Sequence, residues 1–229
     1  MIKYTNCRTS FVLAGILLGM FCSCKTENVV ADFAVLNSVL KEGEPAEIQN
    51  NSSNATAFEW RLSPGTWKST DKNPKLEFDE AGTYQLELIS KNRKSTSAKQ
   101  TSITVLPDTM WRLTRNNSKI WYVASLVYAG SEMLVDTCQK DDEFRLVRGS
   151  MDTFSFTEGN KTCPSGTYLF EIPASGAWRY NSNKKTLEFA LTAFGSPYNF
   201  EFTTTKITKD GYEGTDAKNE VVMKLKSSK

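Results

Sequence analysis

The sequence predicts an all-β protein of two small domains, a β-sandwich followed by an antiparallel barrel of roughly eight strands. Three observations carry this. Short runs of β-branched and aromatic residues alternate with polar ones at period two and recur at even spacing along the chain. The composition, rich in Thr, Ser and Asn with 13 Gly, 13 Phe and 8 Tyr in 229 residues, favours strands and turns over helices. A single break at Leu106-Pro107-Asp108-Thr109 divides the pattern, since Pro107 ends a strand.

The N-terminus comes first. Residues 1–10 carry Lys3 and Arg8 and no acid, and an apolar run of about 11 residues follows from Phe11 to Phe21. A basic start and a short apolar stretch make a secretory signal. Leu17-Leu18-Gly19-Met20-Phe21-Cys22-Ser23-Cys24 then resembles a bacterial lipoprotein signal, in which a small residue precedes a Cys that is acylated and becomes the new N-terminus. Cys24 follows the small Ser23, whereas Cys22 follows Phe21, so Cys24 is the expected lipidation site. The alternative is an ordinary signal peptide with two incidental cysteines. The resemblance implies residues 1–23 as signal, 24–27 as a lipidated tether, and a membrane partner reached through the acyl chains. Lys25-Thr26-Glu27 is weakly similar to the acidic surface-export signal of Bacteroidota lipoproteins. The expected location is the outer membrane, at the cell surface or on the periplasmic face.

Processing also resets charge and cysteine count. The full chain has 28 basic and 26 acidic residues; removing Lys3 and Arg8 leaves 26 of each. Lys91, Arg93 and Lys94 form a short basic run that reads as a solvated hairpin loop, and no nucleic-acid motif accompanies it. Cys7 and Cys22 leave with the signal and Cys24 takes lipid. Cys138 and Cys163 remain, and outside the cytoplasm such a pair is expected as a disulfide. With no His in the chain, the pair makes a poor zinc site.

In residues 28–106 the expected strands are Phe33-Ala34-Val35, Ala46-Glu47-Ile48, Ala57–Leu62, Lys75–Phe78, Tyr84–Ile89 and Thr101–Val105. Phe58, Trp60 and Leu62 share one face, and Tyr84, Leu86 and Leu88 another. The segment resembles a PKD domain, an immunoglobulin-like module. The resemblance rests on Asn51-Ser52-Ser53-Asn54-Ala55, on Trp60 as core Trp, on Asn73-Pro74, and on Ala81-Gly82-Thr83-Tyr84 with Leu86 and Leu88. It departs after Trp60: the family's Phe-Gly-Asp-Gly is replaced by Leu62-Ser63-Pro64-Gly65-Thr66-Trp67. Trp67, in a Pro/Gly loop among polar residues, can stack on a sugar or anchor a partner, or pack back onto the sheet.

Residues 107–110 read as a linker, and Asp108-Thr109-Met110 resembles the Bacteroidota O-glycosylation sequon, with Thr109 as acceptor. In residues 111–229 the expected strands are Lys119–Val123, Asp142–Val147, Asp152–Phe156, Ala177–Tyr180, Thr186–Ala190, Tyr198–Phe202, Thr205–Thr208 and Glu220–Leu225. Ala124–Val135 is open between strand, short helix and loop. About eight consecutive strands can close into a barrel without a free edge. The stretch resembles the lipocalin-like domains of Bacteroidota lipoproteins. Its carriers are Ser118-Lys119-Ile120-Trp121, Cys138-Gln139-Lys140-Asp141-Asp142-Glu143-Phe144, Gly159 before Cys163, Gly176–Tyr180, Leu187-Glu188-Phe189 and Ile207-Thr208. The resemblance implies an interior cavity. The faces expected inside carry Phe144, Leu146, Phe154, Phe156, Phe189, Phe200 and Phe202, enough to line a pocket or to fill it. Asp141-Asp142-Glu143 lacks a calcium-loop spacing and reads as a turn cap.

These features set the functional expectation. Without His, Ser-His and Cys-His dyads are excluded, and the disulfide takes the other two nucleophile candidates. A two-carboxylate glycosidase is the catalytic class left open. The favoured reading is a non-catalytic surface lipoprotein that binds glycan or polysaccharide in a nutrient-capture apparatus, with no cofactor and no metal, using Trp67, Trp178, Tyr180 and Tyr198. The alternatives are a structural component of an envelope complex with an outer-membrane protein partner, and a carrier of a small apolar ligand in the barrel.

Overall fold

The computed structural model describes residues 27–133, 138–164, 174–193 and 195–228; Cys24 and the residues read as a signal, 1–23, lie outside the described residues. In chain order the strands of the first half are β1 (Phe33–Val35), β2 (Val39–Lys41), β3 (Pro45–Ala46), β4 (Ile48–Asn50), β5 (Ala57–Ser63), β6 (Lys68–Ser69), β7 (Leu76–Glu77), β8 (Gly82–Lys91) and β9 (Thr96–Leu106). They form a five-stranded sheet in the order β2-β9-β8-β5-β6 and two short ladders, β1-β4 and β3-β7, in a sandwich-like arrangement. The alternation in β5 buries Trp60 and Leu62, and that in β8 buries Leu86 and Leu88. Phe33 meets Trp60 edge to face at 5.0 Å, and the Trp60 indole N–H donates to Asp71 O at 2.9 Å. The polar handle of the core Trp is thereby satisfied without water.

The second half opens with helix α1 (Thr109–Thr114) and continues with β10 (Ser118–Tyr128), β11 (Ser131–Glu132), β12 (Glu143–Val147), β13 (Thr153–Thr157), β14 (Ala174–Asn181), β15 (Thr186–Ala193), β16 (Ser196–Ile207), β17 (Gly211–Thr215) and β18 (Val221–Lys226). Strands β10 and β12 to β18 pair in succession, all antiparallel, and β18 returns to β10, which closes an eight-stranded barrel.

Two details differ from the sequence expectation. Residues 198–202 and 205–208, read as two strands, are one twelve-residue strand, and the missing eighth strand is β17, Gly211-Tyr212-Glu213-Gly214-Thr215. The residues read as a linker are not free chain. Asp108 is the N-cap of α1, its carboxylate accepting from Trp111 N at 2.8 Å, and Thr109 and Met110 form the first helical turn.

The chain falls into two compact units, and the division cuts across the sandwich strands instead of following residue 107. One unit takes the described chain up to Ala34 with Gln49–Pro74 and Leu86–Thr101. The other takes Val35–Ile48, Lys75–Gln85 and everything from Ser102 on. Glu42 explains why β2 belongs with the barrel unit. Its buried carboxylate accepts two hydrogen bonds from the Arg112 guanidinium, at 2.7 and 2.8 Å, and one each from Asp108 N and Ala81 N. Trp111 lies against Gly43, where any Cβ would stand 1.8 Å from the indole nitrogen, so only glycine fits.

Candidate aromatic rim of the barrel

The register assigns each barrel residue to a face and an end. Residues directly opposite in an antiparallel pair share a face. The inner face carries Trp121, Phe144, Leu146, Phe154, Phe156, Trp178, Leu187, Phe189, Phe202 and Leu225, all buried. Phe144, Phe154, Phe156, Phe189 and Phe202 form a chain of ring contacts with centroids 5.2–6.4 Å apart. The middle of the barrel is therefore filled by its own side chains, as an eight-stranded barrel permits.

The end at which β10 begins is closed. Helix α1 lies there with Leu113 fully buried, and Leu113 O accepts from the Trp121 indole at 2.9 Å. Lys119 lays its ammonium over the Trp121 ring at 3.7 Å and donates to the carbonyls of Arg112 and Lys209. A polar cleft of about 320 Å³ at this end is lined by Glu42, Arg112, Glu80, Lys209 and Asp210. Its cations are already paired, Arg112 with Glu42 and Lys209 with Glu80 at 3.1 Å, so it offers a ligand no free cation.

The opposite end is different. Tyr128, Tyr198 and Phe200 are the exposed aromatic side chains among the described residues, at 52%, 42% and 40% exposure. All three stand at this end on inward-facing register. Tyr198 pairs with Leu191 and Phe200 with Phe189, both inner-face residues. Tyr128 pairs with Val221 and lies two residues beyond Leu126, and both of those pack against the core. Tyr198 and Phe200 are exposed because the wall is low beside them. Strand β17 pairs with β16 only from Thr203 onward, so Ser196–Phe202 has β15 on one side and no strand on the other among the described residues.

The disulfide sits at the same end. Cys138 and Cys163 are joined, with Cα atoms 5.4 Å apart, and tie the β10–β12 connection to the β13–β14 connection. The acidic run reinforces the tie as a cap. Asp142 accepts from Gly159 N and Asp141 from Asn160 N, both at 2.9 Å. Among the described residues no three His, Cys, Asp or Glu side chains gather as a metal site.

The sequence-derived aromatics are not brought together. Trp178 is not an exposed platform: it is 3% exposed, inside the barrel, with its indole N–H on Val147 O at 3.1 Å. Tyr180 packs half-buried against the same core, next to the β14–β15 turn at the closed end. Trp67 is half-buried in the β5–β6 hairpin of the other unit. Thr109 is half-buried in the first turn of α1. Of the four aromatics only Tyr198 is at the rim, joined there by Tyr128 and Phe200. Period-two alternation places Phe200 on the inner face correctly; only the strand lengths of the neighbours reveal that it surfaces.

No family model matches the sequence, and no curated protein does. Solved structures give distant likenesses. A solution NMR structure of a Methanosarcina mazei protein is 19% identical, covering 46% of this chain and 64% of its own, with a TM-score of 0.30. A structure of carbohydrate-binding modules of the β-sandwich superfamily is 14% identical, covering 88% of this chain and 90% of that one, with a TM-score of 0.34. A quinoprotein alcohol dehydrogenase-like protein from Bacteroides thetaiotaomicron is 14% identical, covering 86% of this chain and 63% of that one, with a TM-score of 0.27.

Proposed function

We propose that this protein is a non-catalytic binding protein, held at the outer membrane by acyl chains on Cys24, that takes a polysaccharide on the barrel rim formed by Tyr128, Tyr198 and Phe200. The observation that carries the reading is the convergence of those three exposed aromatics on one end of a barrel whose middle is full. A filled interior argues against a carrier that encloses a small apolar ligand. Aromatic faces spread along an open rim suit an extended ligand with apolar ring faces, which a sugar chain supplies. The test is binding of the soluble chain beginning at Lys25 to a panel of plant, host and microbial polysaccharides. Tyr198→Ala and Phe200→Ala are expected to weaken binding about tenfold each, in the range of buried anchor residues. Trp67→Ala is expected to leave it unchanged. Loss of binding with Trp67→Ala alone would move the site to the sandwich, and no binding across the panel would remove the glycan reading for those polymers.

One observation favours a second reading, a partner-binding component of an envelope complex. Thr204 N–H turns toward Lys185 O on the β15 side, so by alternation Asn199 and Glu201 direct their backbone groups to the unpaired side of β16. Such an edge can accept a strand from another chain, although Pro197 and Glu201 are the residue types that blunt one. Asn199→Pro, which removes an edge donor, separates the readings: it would abolish strand addition and spare stacking on Tyr198.

A further inference from the structure

We propose that the β8–β9 turn is a membrane-facing surface, with Arg93 and Lys94 resting on anionic phospholipid headgroups. The inference rests on acylation of Cys24 and goes beyond it to the face of the protein that meets the bilayer. The start of the described chain is pinned to this turn. Glu27 O accepts from Asn92 Nδ2 at 3.3 Å, Glu27 Oε2 accepts from Asn54 Nδ2 at 3.1 Å, and Val29 N donates to Ser95 Oγ at 2.9 Å. Three residue steps separate Cys24 from Glu27, a reach of at most about 11 Å. A lipid on Cys24 therefore holds the β8–β9 turn close to the bilayer, whatever path residues 25 and 26 take.

The turn is built to present charge. Asn92 N donates to Ser95 O, and Asn92 Oδ1 accepts from Lys94 N and Ser95 N at 2.8 and 2.9 Å, which fixes the backbone. Arg93 and Lys94 stand exposed, and no carboxylate pairs with either among the described residues. The neighbouring cations are occupied, Lys91 by Glu59 at 3.0 Å and Lys99 by Asp32 at 2.5 Å. Two unpaired cations, Arg93 and Lys94, thus stand beside one acid, Glu27, in a mature chain of 26 basic and 26 acidic residues. The reach of the tether, at most about 11 Å, is comparable to the screening length of about 8 Å at physiological salt. Each basic residue that near an anionic surface favours contact by about 5-fold.

The test uses the full chain expressed in a bacterial host and purified from its membranes, in two kinds of vesicle, phosphatidylcholine alone and phosphatidylcholine with phosphatidylglycerol. Lysine modification by an amine-reactive reagent is followed peptide by peptide, and the mass of the N-terminal peptide reports acylation of Cys24. Lys94 is expected to react about 5-fold more slowly on the anionic vesicles than on phosphatidylcholine alone. Arg93→Gln or high salt is expected to shrink the difference. Acylated Cys24 with equal Lys94 rates on both vesicles overturns the membrane-facing turn alone. Unmodified Cys24 overturns the turn and the lipid anchor together, and leaves glycan binding at the rim to its own test.

Discussion

At the residue scale, two aromatics on the same barrel have opposite fates. Trp178 fills the interior and satisfies its N–H on Val147 O; Trp178→Ala is expected to cost about 3–5 kcal/mol in chemical denaturation. Tyr198 is open to solvent, so Tyr198→Ala should stay within about 0.5 kcal/mol of the parent while weakening the ligand. The pattern Ala177-Trp178-Arg179-Tyr180 puts Trp178 and Tyr180 on one face, and this was legible from the sequence. Depth along the strand was not, because alternation fixes the face and not the distance from an open end. Glu42 gives a second test. Burial alone would raise its carboxyl, but the Arg112 guanidinium with the N–H groups of Asp108 and Ala81 outweighs it and holds the group below the usual glutamate range. A carboxyl lowered by folding stabilises above its unfolded value, and the benefit is lost as pH falls through the folded one. Glu42→Gln should therefore cost about 3 kcal/mol near neutral pH, by leaving Arg112 without its partner. The gap to the parent should narrow as the solution is acidified below about pH 4.

At the element scale, the strands with clear alternation were legible and those without it were not. Strand β17 carries two glycines in five residues, so it reads as a turn. The structure shows what Gly214 does: a Cβ there would come within 2.4 Å of the Tyr212 hydroxyl, and the missing side chain leaves room for that buried ring. Helix α1 was hidden for a different reason. It is six residues long, too short for a helical period, and it is fixed by its cap on Asp108 and by Leu113 in the barrel. The disulfide pairing was expected from the cysteine count and the resemblance to a secretory signal; its place at the rim depends on the barrel register. Linking residues 25 apart, it should contribute about 3.5 kcal/mol by loop entropy. Cys138→Ser with Cys163→Ser should lower the denaturation midpoint by a corresponding amount. It should also weaken rim binding more than it changes the β-sheet signal in circular dichroism, because it frees two connections at the open end and leaves the ladders intact.

At the scale of the whole molecule, the sequence divides linearly at Pro107, whereas the compact units interleave three stretches of chain each. The tie responsible, Glu42 with Arg112, spans 70 residues and leaves no local pattern to read. Charge, by contrast, is a whole-chain property that the sequence does give. After removal of the first 23 residues the balance is 26 against 26. Stacking of neutral sugar on Tyr128, Tyr198 and Phe200 exchanges no counterions, so its affinity should change by less than about 2-fold between about 0.05 and 0.5 M salt. Contact of Arg93 and Lys94 with anionic headgroups should weaken steeply over the same range, since the screening length falls to a few ångströms. Isothermal titration across that series separates the two surfaces on one protein. A steep salt dependence of polysaccharide binding would mean a polyanionic ligand held by cations, and would displace the aromatic rim as the site.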